Sequence, residues 1–193
     1  MSTITKRALA QSLSELLSTR QLENITVKDI TDKCGLSRNT FYYHFCDIYD
    51  LLEWMFNAGA DLELASYEEK EDWRGAYKAV LDFMYNNRNM IKNIYRSMSS
   101  EMLHTFVSNI VVKHAVNQVS IRCADLDVGE EAIKMISTFM SNAACGSVFA
   151  WIKEGMNESP DKLADLMEVI ADATLESSVL ALQEWIDERD SAK

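Results

Sequence analysis

The feature that most constrains this chain is what it lacks: 193 residues carry only six Gly and one Pro. Sheets need frequent tight turns, and tight turns draw on Gly and Pro for their backbone angles. So few of either steers the chain toward long helices with short connections. Apolar residues recur at i, i+3, i+4 and i+7, the period of a helix with one buried face, and no segment alternates as a strand does. The expectation is an all-α fold. At 48% hydrophobic the chain can build a real core, in one domain or two small ones. Disordered, collagen-like and low-complexity classes are excluded, and no internal repeat is present.

Four Cys without close pairing, among 30 acidic and 19 basic residues, point to reduced thiols and a cytoplasmic setting. The first residues lack the apolar run of a signal peptide. No stretch of about 18 uninterrupted apolar residues suggests a membrane span, so no membrane partner is expected.

The pattern predicts a first helix ending near Arg20, with Ala8, Leu9, Ser12, Leu13, Leu16 and Leu17 as its inward stripe. Thr26 caps a short second helix with Asp29 in its first turn, where the helix dipole favours an anion. That helix stops at Cys34-Gly35, Gly supplying the left-handed C-cap. Ser37 caps a third helix, Arg38 to about Phe45, and Asp47 a fourth, toward Leu64. Charge density rises over 66–72, where the domain change is placed. Further helices are expected at about 72–87, 88–98, 99–122, 129–156 and 161–188, the last begun by Ser159-Pro160 after a turn at Gly155.

The net charge of −11 argues against a nucleic-acid partner until it is divided. Residues 1–50 hold six basic side chains (Lys6, Arg7, Arg20, Lys28, Lys33, Arg38) and six acidic ones, a net charge of zero; the acidity belongs to the rest. In this neutral segment, two short helices joined by a Gly-containing turn over Thr26–Phe45 form a helix-turn-helix, with Ile30, Leu36, Phe41 and Phe45 packing inward. The second helix is then the reader. Arg38, Asn39 and Thr40 suit base edges, Arg for guanine and Asn for adenine. The polar tips of Tyr42, Tyr43 and His44 suit phosphate oxygens. The candidate DNA contacts are Thr26, Lys28, Ser37, Arg38, Asn39, Thr40, Tyr42, Tyr43 and His44. Taken alone, His44 serves equally as a packed or capping residue, and Tyr42 as part of the core.

These residues resemble the N-terminal signature of the TetR-type transcriptional regulators: a Thr-capped helix, a Gly turn, then Ser-x-x-Thr-aromatic-Tyr-x-His-Phe before a capped fourth helix. Here the signature stands as Thr26, Ile30, Gly35, Leu36, Ser37, Thr40, Phe41, Tyr42, Tyr43, His44, Phe45, Asp47, Leu51 and Leu52, across about 50 residues. Two positions depart from it. Ile48 stands where the family commonly has a Lys able to meet a phosphate, and Cys34 replaces a small Ala. The later half resembles the regulators of dihydroxyacetone kinase operons through Tyr49-Asp50-Leu51-Leu52-Glu53-Trp54 and through Trp151–Met156 followed by Ser159-Pro160.

The resemblance implies a helix-turn-helix DNA-binding domain (1–47), a connecting helix and linker (48–71), and a helical effector-binding and dimerisation domain (72–193). It implies a homodimer on double-stranded DNA, reading a quasi-palindromic operator with half-sites about 34–36 Å apart. The default is a repressor released by a small-molecule effector; an activator controlled by a partner protein is the alternative. Phe83, Tyr95, Met98, Met102, Phe106, Phe139 and Phe149 are candidates for the effector pocket, although residues at helical spacing equally form an ordinary core. Ala144, Val148, Ile170, Ala173, Val179 and Leu182 are candidates for the dimer seam, or else complete the subunit's own core. His104, His114, Cys123 and Cys145 show no metal-ligand spacing, and no catalytic motif, metal site or cofactor site is spelled out. The rival from another class is a helical interaction module without useful DNA affinity, which Ile48 and the overall acidity keep open.

Overall fold

The computed structural model describes residues 2–68 and 72–192, apart from the side chains at 2, 60–66, 68, 100–101, 106, 109–115 and 117. The chain is 82% helical, with no strand among the described residues. In order the helices are α1 (Ser2–Leu17), a 3-10 turn at Leu22–Asn24, α2 (Val27–Cys34), α3 (Arg38–His44), α4 (Ile48–Glu68), α5 (Trp73–Asn86), α6 (Arg88–Ser97), α7 (Ser100–Arg122), α8 (Glu130–Lys153) and α9 (Pro160–Ser191). Each lies within a few residues of its expected place. The 3-10 turn, where the sequence pattern shows only a short connection, buries Leu22 and packs against α6.

The chain divides into two compact units: residues 1–63 with 83–103, and 64–82 with 104–193. This differs from the expected division at residue 72. Residues 83–103 belong to the N-terminal unit because α6 packs on α1 and the 3-10 turn, burying Met90, Ile91 and Ile94. The Asn93 side-chain amide also donates to the Leu17 carbonyl at 2.9 Å, satisfying the open C-terminus of α1. The rest of this unit's core comes from Leu9, Leu13 and Leu17 of α1, Ile30, Phe41, Phe45, Leu51 and Leu52, all at most 3% exposed.

In the second unit, α8 and α9 form an antiparallel pair. Val119 of α7 and Cys123 just after it, Ala132 and Ile136 of α8, and Leu175, Val179 and Ile186 of α9 make one buried cluster. Arg189 near the end of α9 holds Glu131 at the start of α8 through two bonds of 2.9 and 3.1 Å, the forked geometry that gives Arg–carboxylate pairs their specificity. Arg74 and Lys78 of α5 and Arg122 of α7 meet an acidic edge of α9 at Asp165, Glu168, Asp161 and Asp172. By length and composition alone α8 is apolar enough to cross a membrane. Its packing on α9 buries part of that apolar surface, and its buried Ser137 and Ser141 hydroxyls donate to its own carbonyls.

Candidate nucleic-acid interface

The exposed helix α3 is set in place by the caps that flank it. Thr26 and Asp29 close a reciprocal cap on α2: the Thr26 hydroxyl accepts from the Asp29 N–H at 3.2 Å, and the Asp29 carboxylate accepts from the Thr26 N–H at 2.8 Å and its hydroxyl at 2.6 Å. The Thr26 hydroxyl, its backbone N–H and the Arg20 guanidinium together hold the Asp29 carboxyl down at about 2. At the other end of α2, Gly35 takes φ 69°, ψ 26°, and the Leu36 N–H returns to the Thr31 carbonyl at 2.9 Å. The Ser37 hydroxyl then accepts from the Thr40 N–H at 3.0 Å, starting α3. Phe41 and Phe45, 0% and 3% exposed with ring centroids 5.9 Å apart, anchor α3 in the core. Asp47 starts α4 by accepting from the Asp50 N–H at 2.9 Å.

With Phe41 facing inward, the opposite side of α3 is presented to solvent. Arg38 and Asn39 are exposed and hold no partner among the described residues. The Thr40 hydroxyl lies 2.8 Å from the Ser37 hydroxyl, so the helix cap engages both groups. Tyr42 is 52% exposed and touches Phe41 only edge-on, which places it at the surface and not in the core. Tyr43 is 83% exposed, and its ring meets His44 edge-on at 4.8 Å. The nine candidate contacts thus lie on α2, α3 and their caps.

Charge on this unit is more committed than the sequence suggests. Lys28 pairs with Asp32 at 2.8 Å, Lys33 with Glu15 at 2.8 Å, and Arg20 with Asp29 at 3.4 Å and the Asn24 carbonyl. Such exposed pairs are worth little, and a phosphate can take the cation over. Of the six basic residues, Arg7 and Arg38 hold no partner among the described residues. Arg7 lies outside the helix-turn-helix motif, which is why the spacing did not single it out.

The expected effector-pocket residues are drawn from both compact units. Phe83, Tyr95, Met98 and Met102 fall in the N-terminal unit, and Phe139 and Phe149 in the second. The Phe106 side chain lies outside the described residues. Phe83 is half exposed beside Phe56, and Phe139, 68% exposed, faces out of α8 and lines no interior. Phe149 does contact a polar group, the His104 ring at 6.0 Å. A concavity in the N-terminal unit, about 420 Å³, is lined mostly by polar residues at the end of α1 and the α5–α6 junction, none of them among the candidates. In the second unit the Tyr77 hydroxyl lies 3.5 Å from the Ala144 carbonyl, and burial raises the pKa of its phenol. Burial likewise pushes the Cys145 thiol up to about 11.

Of the dimer-seam candidates, Val148 and Val179 are buried within the subunit, at 6% and 0% exposure, the place that the alternative of a subunit core gives them. Their apolar character matched an inner and an outer face equally well. Ala144 and Leu182 are half-buried, whereas Ala173 and Ile170 are exposed. All four cysteines are free. No group of three or more His, Cys, Asp or Glu gathers among the described residues, and the His114 side chain lies outside them.

Comparison with known proteins gives two family matches. The profile described as "Bacterial regulatory proteins, tetR family" covers residues 12–55, which contain the capped helix-turn-helix. That described as "Transcriptional regulator C-terminal region" covers residues 71–173, more than half of the chain. A solved structure described as "Dihydroxyacetone kinase operon activator DhaS" matches with a TM-score of 0.67 over 90% of this chain and 97% of that one, at 18% identity, a likeness of fold. No curated protein matches in sequence. With the capped two-helix head exposing Arg38 and Asn39, and with profiles covering both halves, the chain belongs to the TetR family of DNA-binding transcriptional regulators, which are transcription factors and not enzymes.

Proposed function

We propose that the protein is a cytoplasmic, homodimeric repressor that reads a quasi-palindromic operator through α3 and is released by a small-molecule effector. The observation that carries the proposal is the uncommitted state of Arg38 and Asn39 at the exposed N-terminal turn of a rigidly capped helix. Groups held this way meet base edges without first breaking internal bonds. The remaining candidate contacts serve as phosphate-positioning groups, among them the 83% exposed Tyr43.

The outward faces of α8 and α9 support the homodimer. Leu166, Val169, Ile170, Ala173 and Leu180 recur at helical spacing along exposed α9, and α8 exposes Met135 and Phe139 with the small residues Ala143, Gly146 and Ala150. Small residues of this kind let a second helix approach closely. Ile170 and Ala173 keep their place as seam residues, with Ala144 and Leu182 at its margin.

Effector control follows from linkage. A ligand that binds the second unit and prefers the non-binding spacing of the heads weakens DNA affinity by its differential affinity for the two arrangements. The lever is α4, within which the chain passes from one unit into the other. In vitro transcription from a promoter carrying a duplex selected by the protein tests the sign of regulation. A repressor lowers transcript yield; a rise would make the protein an activator, the role named for its structural neighbour.

A further inference from the structure

By charge alone Lys6 belongs with the phosphate-binding cations, yet its ammonium is turned inward. Lys6 Nζ lies 5.2 Å from the centroid of the Phe45 ring and 5.7 Å from that of Trp54. The two rings meet each other at 6.0 Å and 61°, so the cation occupies a cleft between two aromatic surfaces. Cations are attracted to ring faces at such distances, and the side chain is half-buried there.

The two rings sit at mechanically important places. Phe45 caps the C-terminus of α3, its N–H bonded to the Phe41 carbonyl at 3.0 Å and its ring 3% exposed. Trp54 lies in the second turn of α4, the helix that continues into the second unit. From Phe45 the ring contacts continue to His44 at 6.4 Å and from His44 to Tyr43 at 4.8 Å, both candidate phosphate contacts. Lys6 therefore joins α1 to the end of the reading helix and to the start of the lever at a single point.

We infer that Lys6 is a positioning residue for DNA binding. Its ammonium fastens the end of α3 to α4 through Phe45 and Trp54, and it adds no phosphate contact of its own. The inference rests on α3 being the reading helix. It makes affinity depend on Lys6 through geometry, so removing the charge should weaken binding without changing its salt dependence. A phosphate-binding lysine behaves oppositely, because each released counterion contributes about one unit to the salt slope.

The test uses the full chain and a duplex selected by the wild-type protein from a random pool, with fluorescence anisotropy read across a salt series. Lys6→Met should bind roughly 5-fold more weakly, the factor that one such interaction is worth, with the slope of log affinity against log salt unchanged. Lys6→Arg, which keeps a cation over the rings, should restore binding to within about 2-fold. Lys28→Met is the control, whose slope falls by about one for the phosphate that it no longer neutralises. If Lys6→Met does not fold, Trp54→Leu removes the clamp from the other side and should give the same weaker binding and unchanged slope. The inference is overturned if Lys6→Met lowers the slope as Lys28→Met does, if it binds like wild type, or if Lys6→Arg fails to rescue it. Arg38→Ala in the same assay reports separately on α3: unchanged binding there sinks the reading helix and with it the role of Lys6, whereas weakened Arg38→Ala binding beside wild-type binding by Lys6→Met overturns the Lys6 inference alone. A wild-type protein that selects no duplex overturns both.

Discussion

Replacing Gly35 by alanine tests the turn between α2 and α3. At φ 69° an L-residue adopts left-handed backbone at a cost of about 1–2 kcal/mol. Restricting the unfolded chain offsets about 0.4–1 kcal/mol of that. A Cβ built at Gly35 meets no heavy atom within 4 Å, so no steric penalty is added, and the net loss is about 0.5–1 kcal/mol. In a chain of this size that lowers Tm by roughly 1–4 °C. Gly59 supplies the control, since it lies in α4 and its added Cβ also meets nothing within 4 Å. On helical backbone the same substitution should instead raise stability by about 0.5–1 kcal/mol. Asparagine at position 35, which tolerates left-handed backbone, should fall between glycine and alanine. Urea and thermal unfolding followed by circular dichroism read all three variants. Gly35→Ala matching or exceeding the wild type while Gly59→Ala behaves as stated would show that residue 35 does not keep its positive φ in solution.

Further outcomes follow from the site and its surroundings. Arg38→Ala should cost about 1–3 kcal/mol of binding and relax preference at one base pair, whereas Tyr43→Phe should weaken all duplexes alike; competition with single-base variants of a selected site separates the two. Because the Asp29 carboxyl is held at about 2 against an ordinary 3.8, the stability it confers is complete above about pH 4 and is lost as pH falls toward 2. Asp29→Asn should remove that component of an acid titration followed by circular dichroism, and an unchanged acid transition would contradict the capping account. Ile170→Glu, on the outward face of α9, should dissociate the dimer in sedimentation while leaving the subunit folded, whereas Val179→Ala should cost about 2 kcal/mol of subunit stability. A dimer indifferent to Ile170→Glu would move the seam elsewhere.

What was legible beforehand was local. Thr26, Ser37, Asp47 and Ser159 cap their helices because a short polar side chain meets backbone N–H groups only two or three residues away. Gly35 was legible for the same reason, since its positive φ depends on its immediate neighbours. Placement of apolar faces was less legible. Met90, Ile91 and Ile94 form an amphipathic stripe like any other, and nothing local says that it covers α1 and not another regulatory helix. Val179 and Ile170 are both β-branched residues of α9, yet one is fully buried and the other 44% exposed, a difference set by which helices arrive beside them. A count of charges has the same limit: it gives residues 1–50 a net charge of zero but does not name the rings, Asp32 and Glu15 that engage Lys6, Lys28 and Lys33 across space.

The central claim, that α3 reads a specific duplex as part of a dimer, meets its most direct test in selection from a random DNA pool by the purified protein at two salt concentrations, with its mass measured in the same buffer. The account predicts an enriched quasi-palindrome whose half-sites lie about one helical turn or somewhat more apart, and an affinity that falls steeply with salt. A folded dimer that enriches no sequence at either salt concentration would contradict it.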